Sequence, residues 1–370
     1  MIAAARPVQR PRDARLLVVD GQGRISHRQR SAFADVLIAG DLVVANDAAT
    51  LPASLTGAHV ATAAAIEVRL AARRSLAADD VHTFAAVVFG AGDYRTPTER
   101  RPLPPALAVG DELALGPLHA VVLRLLDHPR LIELRFAGDA DAIRAGIARH
   151  GRPVQYAHLP TRLALWDVWT RIAALPAAFE APSAGFVLDW RLLDRLAARG
   201  VGFATLTHAA GLSSTGDATL DARLPLAEPY RIPPATVAAI AATQRRRGRV
   251  VALGTTVARA LEHAAVRPGG LAAGAGVADN LLGSATRLRV VDAIVSGTHE
   301  PGTSHHALLG AFVPAATLAR IDATLEACGY RTHEFGDSVW IERAAHPRAV
   351  AEPVTRSSSA LATPCALPAT

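Results

Sequence analysis

Lysine is absent from this 370-residue sequence, so all 39 basic residues are arginine. A Schiff base between a substrate and a lysine is therefore excluded. Cysteine is scarce, since only Cys328 and Cys365 occur, which argues against a disulfide scaffold and against a zinc site made of cysteine ligands. No run of about 18 apolar residues is free of charge or proline, so a membrane-spanning helix is not expected.

The N-terminal segment MIAAARPVQRPRDAR has no apolar core of the kind that a secretion signal needs. We therefore expect a soluble, cytoplasmic protein without membrane contacts, and a monomer. Half of the residues are apolar and 19% are charged, so the chain can bury a substantial core, and its length favours two domains.

The net charge of +6 suits a polyanionic partner. A GC-rich coding sequence replaces lysine by arginine throughout and also raises the alanine content, so composition alone accounts for most of this charge. Guanidinium groups nevertheless bind phosphate with two hydrogen bonds wherever they cluster.

The first half of the chain has two kinds of strand pattern. Residues 16–19 and 42–44 are apolar runs next to turn residues, which is typical of buried strands. Between residues 66 and 136 several short apolar runs are separated by turns such as Gly110-Asp111 and Gly116-Pro117. This spacing predicts an antiparallel barrel or sandwich inserted between α/β segments.

Helices and strands alternate in the second half. Asp139 and Gly151 predict the start and end of one helix, and a second is predicted from Asp189 to Gly200. Further on, strands are predicted at 201–207, 249–253 and 288–294, with helices at 234–247 and 257–264.

The predicted fold is therefore an α/β main domain with an inserted antiparallel β-barrel domain. Residues 1–62 and 137–343 form the α/β part and residues 63–136 the barrel. Residues 344–370, rich in alanine, proline, serine and threonine, are predicted to be a disordered tail.

The segment 249–262 reads Arg-Val-Val-Ala-Leu-Gly-Thr-Thr-Val-Ala-Arg-Ala-Leu-Glu, a strand, a glycine turn with two hydroxyls, and a helix. Backbone N–H groups and hydroxyls at such a turn bind anions or sugar hydroxyls. An ordinary strand–turn–helix with threonine as helix cap explains the segment equally well when it is taken alone.

Together with other segments in the same order, this motif resembles the S-adenosylmethionine:tRNA ribosyltransferase-isomerase family of queuosine biosynthesis. The similar segments are residues 15–20, 40–47 with Asn46-Asp47, 51–57, 181–185 (Ala-Pro-Ser-Ala-Gly), 296–304, and Tyr330 with Phe335-Gly336-Asp337. Collinear likeness from residue 11 to 341 is more specific than any one motif, and the chain is identified as a divergent member.

The resemblance implies the same two-part fold and an enzyme that uses S-adenosylmethionine as a ribosyl-donor substrate. The ribose is transferred and isomerised onto 7-aminomethyl-7-deazaguanine at the wobble position of tRNA, so that adenine and methionine leave and epoxyqueuosine remains. Such chemistry needs a base for the C5′ proton, a hydrogen-bond donor or acid for adenine, and groups that orient the ribose. It calls for no metal.

Eleven residues match positions that could serve this chemistry. The catalytic candidates are Glu228, a carboxylate in an apolar stretch; His208, at a strand end before a glycine loop; and Asp47, which follows a strand and for which capping of a turn is the alternative. The binding candidates are Asn46, Ser183, Gly254, Thr255, Thr256, Arg259, His299 and Asp337. The assignment of acid and base stays open, and His305 and His306 predict no metal site because adjacent residues face different sides of a helix.

Several positions depart from the family pattern. Val187 and Leu226 stand where the family has histidine, and cationic residues are replaced at 48–49, at Ser54 and at Gly302. The missing cations weaken the expected tRNA contacts. Two further hypotheses follow: an enzyme that uses S-adenosylmethionine or a nucleoside with a small-molecule acceptor, and a catalytically silent binding protein.

Overall fold

The computed structural model describes residues 1–213 and 215–343. Its strands are β1 (Ile2–Ala3), β2 (Arg15–Val19), β3 (Ile25–Gln29), β4 (Leu42–Asn46), β5 (Ala48–Thr50), β6 (Ser54–His59), β7 (Ala65–Arg73), β8 (Thr83–Phe89), β9 (Glu112–Leu115), β10 (Leu118–Leu125), β11 (Leu131–Phe136), β12 (Leu175–Ala178), β13 (Gly202–His208), β14 (Glu228–Ile232), β15 (Val250–Leu253), β16 (Gly274–Ala278), β17 (Ala293–Gly297), β18 (Arg331–Thr332) and β19 (Ser338–Glu342).

The helices are α1 (Ala140–His150), α2 (Leu165–Val168), α3 (Trp190–Ala198), α4 (Ala218–Asp221), α5 (Pro234–Arg245), α6 (Thr255–Val266), α7 (Ser304–Leu309) and α8 (Ala315–Ala327). Short 3-10 helices span Arg30–Val36, Thr98–Arg100 and Ser183–Val187. No helix in this described part of the chain is long and apolar enough to cross a membrane.

A nine-stranded sheet in the order β16-β14-β13-β4-β15-β17-β19-β2-β3 is the centre of the α/β part. Its four central strands, β13, β4, β15 and β17, are parallel to one another. Side chains alternate between its faces: Leu42 and Val44 pack toward α5 and α6, whereas Val43 and Ala45 pack toward α3. Helices thus cover both faces of the parallel strands, which explains their uninterrupted apolar sequences.

The second body is a closed antiparallel barrel in the order β10-β11-β8-β7-β6-β9. Its interior is filled by aliphatic and aromatic side chains, with Phe84 in edge-to-face contact with Phe136 and Phe179. Closure leaves no unpaired strand edge. The sheet and the barrel together confirm the predicted fold class.

The barrel begins earlier in the chain than predicted, because β6 lies before the predicted boundary at residue 63. The sequence of β6 contains Gly57, which suggests a turn. In the structure a Cβ at this position would lie 2.0 Å from the carbonyl oxygen of Ala114, so the glycine permits close approach of two strands. Ile143 and Ile147 of α1 also pack into the barrel core.

Local predictions in the second half were confirmed where a capping residue or an apolar run marked the element. Asp139 and Asp189 accept hydrogen bonds from Ala142 N and Leu192 N, at 2.8 and 2.7 Å, and so cap α1 and α3. The strand predicted at 288–294 was wrong in its bounds, since β17 is Ala293–Gly297.

The reason is a side chain that no local pattern reveals. The Glu262 carboxylate accepts the backbone N–H groups of residues 289–291 at 2.7 to 2.9 Å. This segment is therefore held by α6 and not by a neighbouring strand. The predicted tail, 344–370, lies outside the described residues.

Candidate functional site

A cleft opens at the carboxyl ends of β4, β13, β15 and β17, the place where ligands bind in open α/β sheets. It encloses about 760 Å³ of empty space, including the part open to solvent. Seven of the predicted residues line it, namely Ser183, Glu228, Gly254, Thr255, Thr256, Arg259 and His299. The fold thus gathers most of the predicted site from four separate segments.

The Gly254 turn lies where β15 ends and α6 begins. Gly254 has φ +107°, a backbone conformation that side chains with a Cβ disfavour. The turn places the start of the twelve-residue helix α6 on the cleft wall, and the N-terminus of a helix favours negative or polar ligand atoms. Thr255 and Thr256 add two hydroxyls at the same point.

Glu228 is buried at the start of β14, where both of its carboxylate oxygens have partners. Oε1 accepts the N–H of Gly211 and Oε2 accepts an N–H of Arg259, each at 2.5 Å. Burial raises the pKa of Glu228 to about 7 against the opposing pull of Arg259. Because the charge partner is so close, the carboxylate is well placed to orient a ligand through Arg259.

His208 lies beneath this pair, fully buried at the end of β13. Its Nε2 atom is 3.4 Å from Glu228 Oε2. Burial, helped by the charge of Arg259, lowers the pKa of His208 to about 3, so the imidazole is neutral at physiological pH. His208 does not line the cleft and lies behind Glu228.

Asn46 ends β4 and Asp47 follows it, but neither lines the cleft. The amide of Asn46 donates to the carbonyl oxygen of His208 at 2.9 Å and accepts the N–H of the same residue at 3.0 Å. Asn46 therefore fixes the ends of β4 and β13 relative to each other. Asp47 accepts a hydrogen bond from the Thr207 hydroxyl at 2.7 Å, and the structure does not bring it to the cleft.

Asp337 is likewise not at the cleft, contrary to the prediction of a binding role. Its fully buried carboxylate accepts the backbone N–H groups of Arg15 and Arg331, at 2.8 and 2.9 Å, and pairs with both guanidinium groups. It joins β2 to the segment before β19, so its place in the fold is structural.

Three residues of the cleft wall were missed by the sequence analysis: Glu180, Ser213 and His305. The Ser213 hydroxyl donates to Glu180 Oε2 and is hydrogen-bonded to His305 Nε2, both at 2.7 Å. His305 Nδ1 meets the hydroxyl of Thr255 at 2.7 Å. On the far side, Tyr156 donates to Glu180 Oε1 at 2.7 Å.

The electrostatics of this chain of side chains follow from burial. Burial raises the pKa of Glu180 to about 7, with Glu334 and Glu228 acting in the same direction. The His305 ring stacks on His299 with centroids 4.7 Å apart, and burial lowers the pKa of His305 to about 4 and that of His299 well below its usual value. Both imidazoles are therefore neutral at pH 7.

The family model described as "Queuosine biosynthesis protein" matches residues 1–341. The chain belongs to this family. The protein named S-adenosylmethionine:tRNA ribosyltransferase-isomerase of Pelobacter propionicus is 33% identical over 353 residues, covering 92% of this chain and 96% of its own. The protein of the same name from Gloeobacter violaceus is 34% identical over 345 residues, covering 91% and 92%.

A solved structure of an S-adenosylmethionine tRNA ribosyltransferase from Thermotoga maritima is 24% identical, covers 92% of this chain and 96% of its own, and has a TM-score of 0.48. The family predicted from the motifs is confirmed by the family model and the two curated relatives. Those relatives bear the name of an enzyme, as predicted.

The two positions where the queuosine family pattern has histidine are occupied differently here. Val187 is buried against the α3 side of the sheet. Leu226 is half-buried, and its carbonyl oxygen accepts a hydrogen bond from Arg259 at 3.4 Å. Two imidazoles line the cleft, those of His299 and His305.

Among the described residues, one group has the spacing of metal ligands, formed by His158, His333 and Glu334. His158 Nε2 is 3.2 Å from Glu334 Oε2. The two imidazole rings are stacked, however, with centroids 4.1 Å apart and an interplanar angle of 14°. Their in-plane nitrogen lone pairs therefore do not converge on one point, and we assign no metal to this group.

Proposed function

We propose that this protein transfers and isomerises the ribosyl group of S-adenosylmethionine onto 7-aminomethyl-7-deazaguanine in tRNA, which yields epoxyqueuosine. The observation that carries the proposal is the convergence of Thr255, Arg259 and Glu228 on one cleft, in a chain that matches the queuosine family over residues 1–341. Such an activity would place the protein in the cytoplasm with its tRNA.

The chemistry of the cleft suits this donor. S-Adenosylmethionine carries a positive sulfonium, and Glu180 and Glu228 are carboxyl groups on the cleft wall. The threonine hydroxyls at the start of α6 suit ribose hydroxyls, and Leu281, Leu282 and Leu308 offer apolar surface for adenine. The groups needed to orient a nucleoside are thus present, and none of the steps named requires a metal.

The replacements at positions 48 and 49 argue less strongly against a tRNA acceptor than the sequence alone suggests. Ala48 and Ala49 are buried in β5, which pairs with β12. Side chains at these positions lie inside the fold, so their lack of charge removes no cation from the surface. The net charge of +6 supports a polyanionic acceptor.

The decisive experiment measures adenine release from S-adenosylmethionine with purified protein and tRNA carrying 7-aminomethyl-7-deazaguanine. Adenine should form with this tRNA and not with tRNA carrying unmodified guanine at the wobble position, and nucleoside analysis should reveal epoxyqueuosine. Adenine formed equally without tRNA would point to a small-molecule acceptor. Binding of S-adenosylmethionine without adenine release would contradict the proposal and support a silent binding protein.

A further inference from the structure

Two buried carboxyl groups line the cleft, and their hydrogen-bond partners differ in kind. Glu228 is held by a backbone N–H and by a guanidinium N–H, which donate only. Glu180 is held by the hydroxyls of Tyr156 and Ser213, which can donate or accept. A proton can therefore settle on Glu180 through a reorientation of Ser213, whereas a proton on Glu228 would break a charge-assisted bond.

The partners of Glu180 continue into a path of reversible groups. Glu180, Ser213, His305 and Thr255 are joined by three contacts of 2.7 Å each, and all four line the cleft. Each inner member, a hydroxyl or a neutral imidazole, has one hydrogen to give and one lone pair to receive another. This arrangement meets the requirement for proton movement along a hydrogen-bonded chain.

We propose that Glu180 is the proton-exchanging group of the reaction, and that Ser213, His305 and Thr255 form the path by which its proton leaves and returns. The inference rests on the proposed function for the identity of the substrate. Glu180, as the carboxylate, takes a proton from C5′ beside the sulfonium. The electron pair of the C–H bond stays on carbon, where the adjacent positive sulfur stabilises it, and Glu180 becomes the neutral acid.

The return of the proton balances without any further reactant. Once Glu180 is protonated, it donates to Ser213, Ser213 donates to His305 Nε2, and His305 Nδ1 donates to Thr255. Glu180 passes its proton to Ser213, Ser213 passes its own proton to His305 Nε2, His305 passes the Nδ1 proton to Thr255, and Thr255 releases its own hydroxyl proton to the departing adenine or to solvent. Glu180 is then ionised again, and every donor along the path points toward it.

The groups that face Glu180 favour this role. They are Tyr156 from the loop after α1, Ser213 from the loop after β13, Glu228 from β14, and Glu334 from the turn before β19. Behind them lie Arg259 on Glu228 and His158 on Glu334. The pKa of Tyr156 is raised well above its usual value by burial and by Glu180, so the phenol keeps its proton and the path runs through Ser213.

The test compares Glu180→Gln and Ser213→Ala with the unchanged protein. Glutamine keeps the hydrogen-bonding shape but cannot exchange a proton, so adenine release should fall by about 10²- to 10⁴-fold while the affinity for S-adenosylmethionine changes little. The unchanged protein should lose activity as the pH falls below about 7, where the carboxylate becomes protonated, and this dependence should be weaker in Glu180→Gln. Ser213→Ala should slow the reaction with the fold intact.

The matched control is Ser75→Ala, which removes a 2.8 Å hydroxyl–carboxylate bond to Asp80 next to the barrel and should leave the rate unchanged. Full activity and an unaltered pH profile in Glu180→Gln would overturn the inference. If the unchanged protein releases no adenine, the proposed function fails and infrared spectroscopy decides the inference alone. Because the pKa of Glu228 is also raised to about 7, the intensity of the carboxyl band that titrates near pH 7 is compared between the two proteins. A loss of part of this band in Glu180→Gln supports the inference, and a band of undiminished intensity in this variant refutes it.

Discussion

The Arg259 guanidinium and the Glu228 carboxylate form a buried ion pair on the wall of the cleft, in which Arg259 donates a hydrogen bond of 2.5 Å to Glu228 Oε2. Arg259 also donates to the carbonyl oxygens of Asn280 and Ala278, at 2.8 and 2.9 Å. One side chain of α6 thereby fixes β14, β16 and the segment after β16. The pair is an element of the fold as well as of the site.

We predict strong energetic coupling between these two residues. Glu228→Gln and Arg259→Gln should each lower the free energy of unfolding by about 3 kcal/mol, because each leaves a buried charge without its partner. The free energy of unfolding that the double variant loses should be smaller than the sum of the two single losses, and the difference should be roughly 1.5 to 3 kcal/mol. Urea unfolding measures all four proteins. The control is the exposed pair Arg195–Asp35, with side chains 45% and 44% exposed, which should couple by at most about 0.5 kcal/mol.

Asp337 provides a second prediction. The family motif suggested that this residue binds the substrate, whereas in the structure its carboxylate pairs with Arg15 and Arg331. Asp337→Asn should lower the free energy of unfolding by about 2 kcal/mol, a value reduced because the paired arginines are partly exposed. Adenine release per folded molecule and KM for S-adenosylmethionine should stay the same at low temperature. A raised KM in a fully folded variant would restore the binding role.

The parts of the fold that were predicted correctly have local causes. Asp139 and Asp189 cap helices through their own side chains, and the apolar runs at 42–44 and 249–253 mark strands covered on both faces. The strand predicted at 288–294 failed because Glu262, more than 25 positions earlier, binds that backbone. A local pattern cannot reveal such a partner.

The candidate site likewise contains residues that the local sequence predicts and residues that only the fold brings together. Gly254, Thr255, Thr256 and Arg259 could be predicted because one turn and one helix present all four to the cleft. The contact of Glu180, Ser213 and His305 joins three distant segments, so only the fold reveals it. Glu180 nevertheless offered a signal, since a carboxylate within the apolar stretch 177–181 requires a buried partner, the same argument that singled out Glu228.

His208 gives a third prediction, which concerns stability and pH. Its folded-state pKa of about 3 lies below the usual value of 6.5, so between these values the unfolded chain binds a proton that the folded chain does not. The histidine therefore reduces stability as the pH falls below about 6.5, by up to about 1.4 kcal/mol per pH unit.

We expect His208→Leu to remove this contribution. Among the described residues neither ring nitrogen of His208 has a hydrogen-bond partner, so the variant should match or exceed the stability of the unchanged protein at pH 7. Its advantage should grow as the pH is lowered from 6.5 to 4. Urea midpoints at four pH values measure the difference, and parallel curves for the two proteins would contradict the assignment.

The last prediction concerns the closure of the barrel at Gly57. A Cβ there would lie 2.0 Å from the carbonyl oxygen of Ala114 and 2.9 Å from the Cα of Leu115. Both neighbours are backbone atoms of β9, so no side-chain rotation can relieve the overlap, and β6 must separate from β9. Gly57→Ala should therefore lower the free energy of unfolding by about 3 kcal/mol or more.

Gly283→Ala is the matched control. A Cβ at Gly283 would lie 3.8 Å from its nearest neighbour, the carbonyl oxygen of Ala307, which is an ordinary contact distance. This variant should change the free energy of unfolding by less than about 1 kcal/mol. Equal urea midpoints for the two variants would mean that β6 and β9 do not pair as closely as the structure places them.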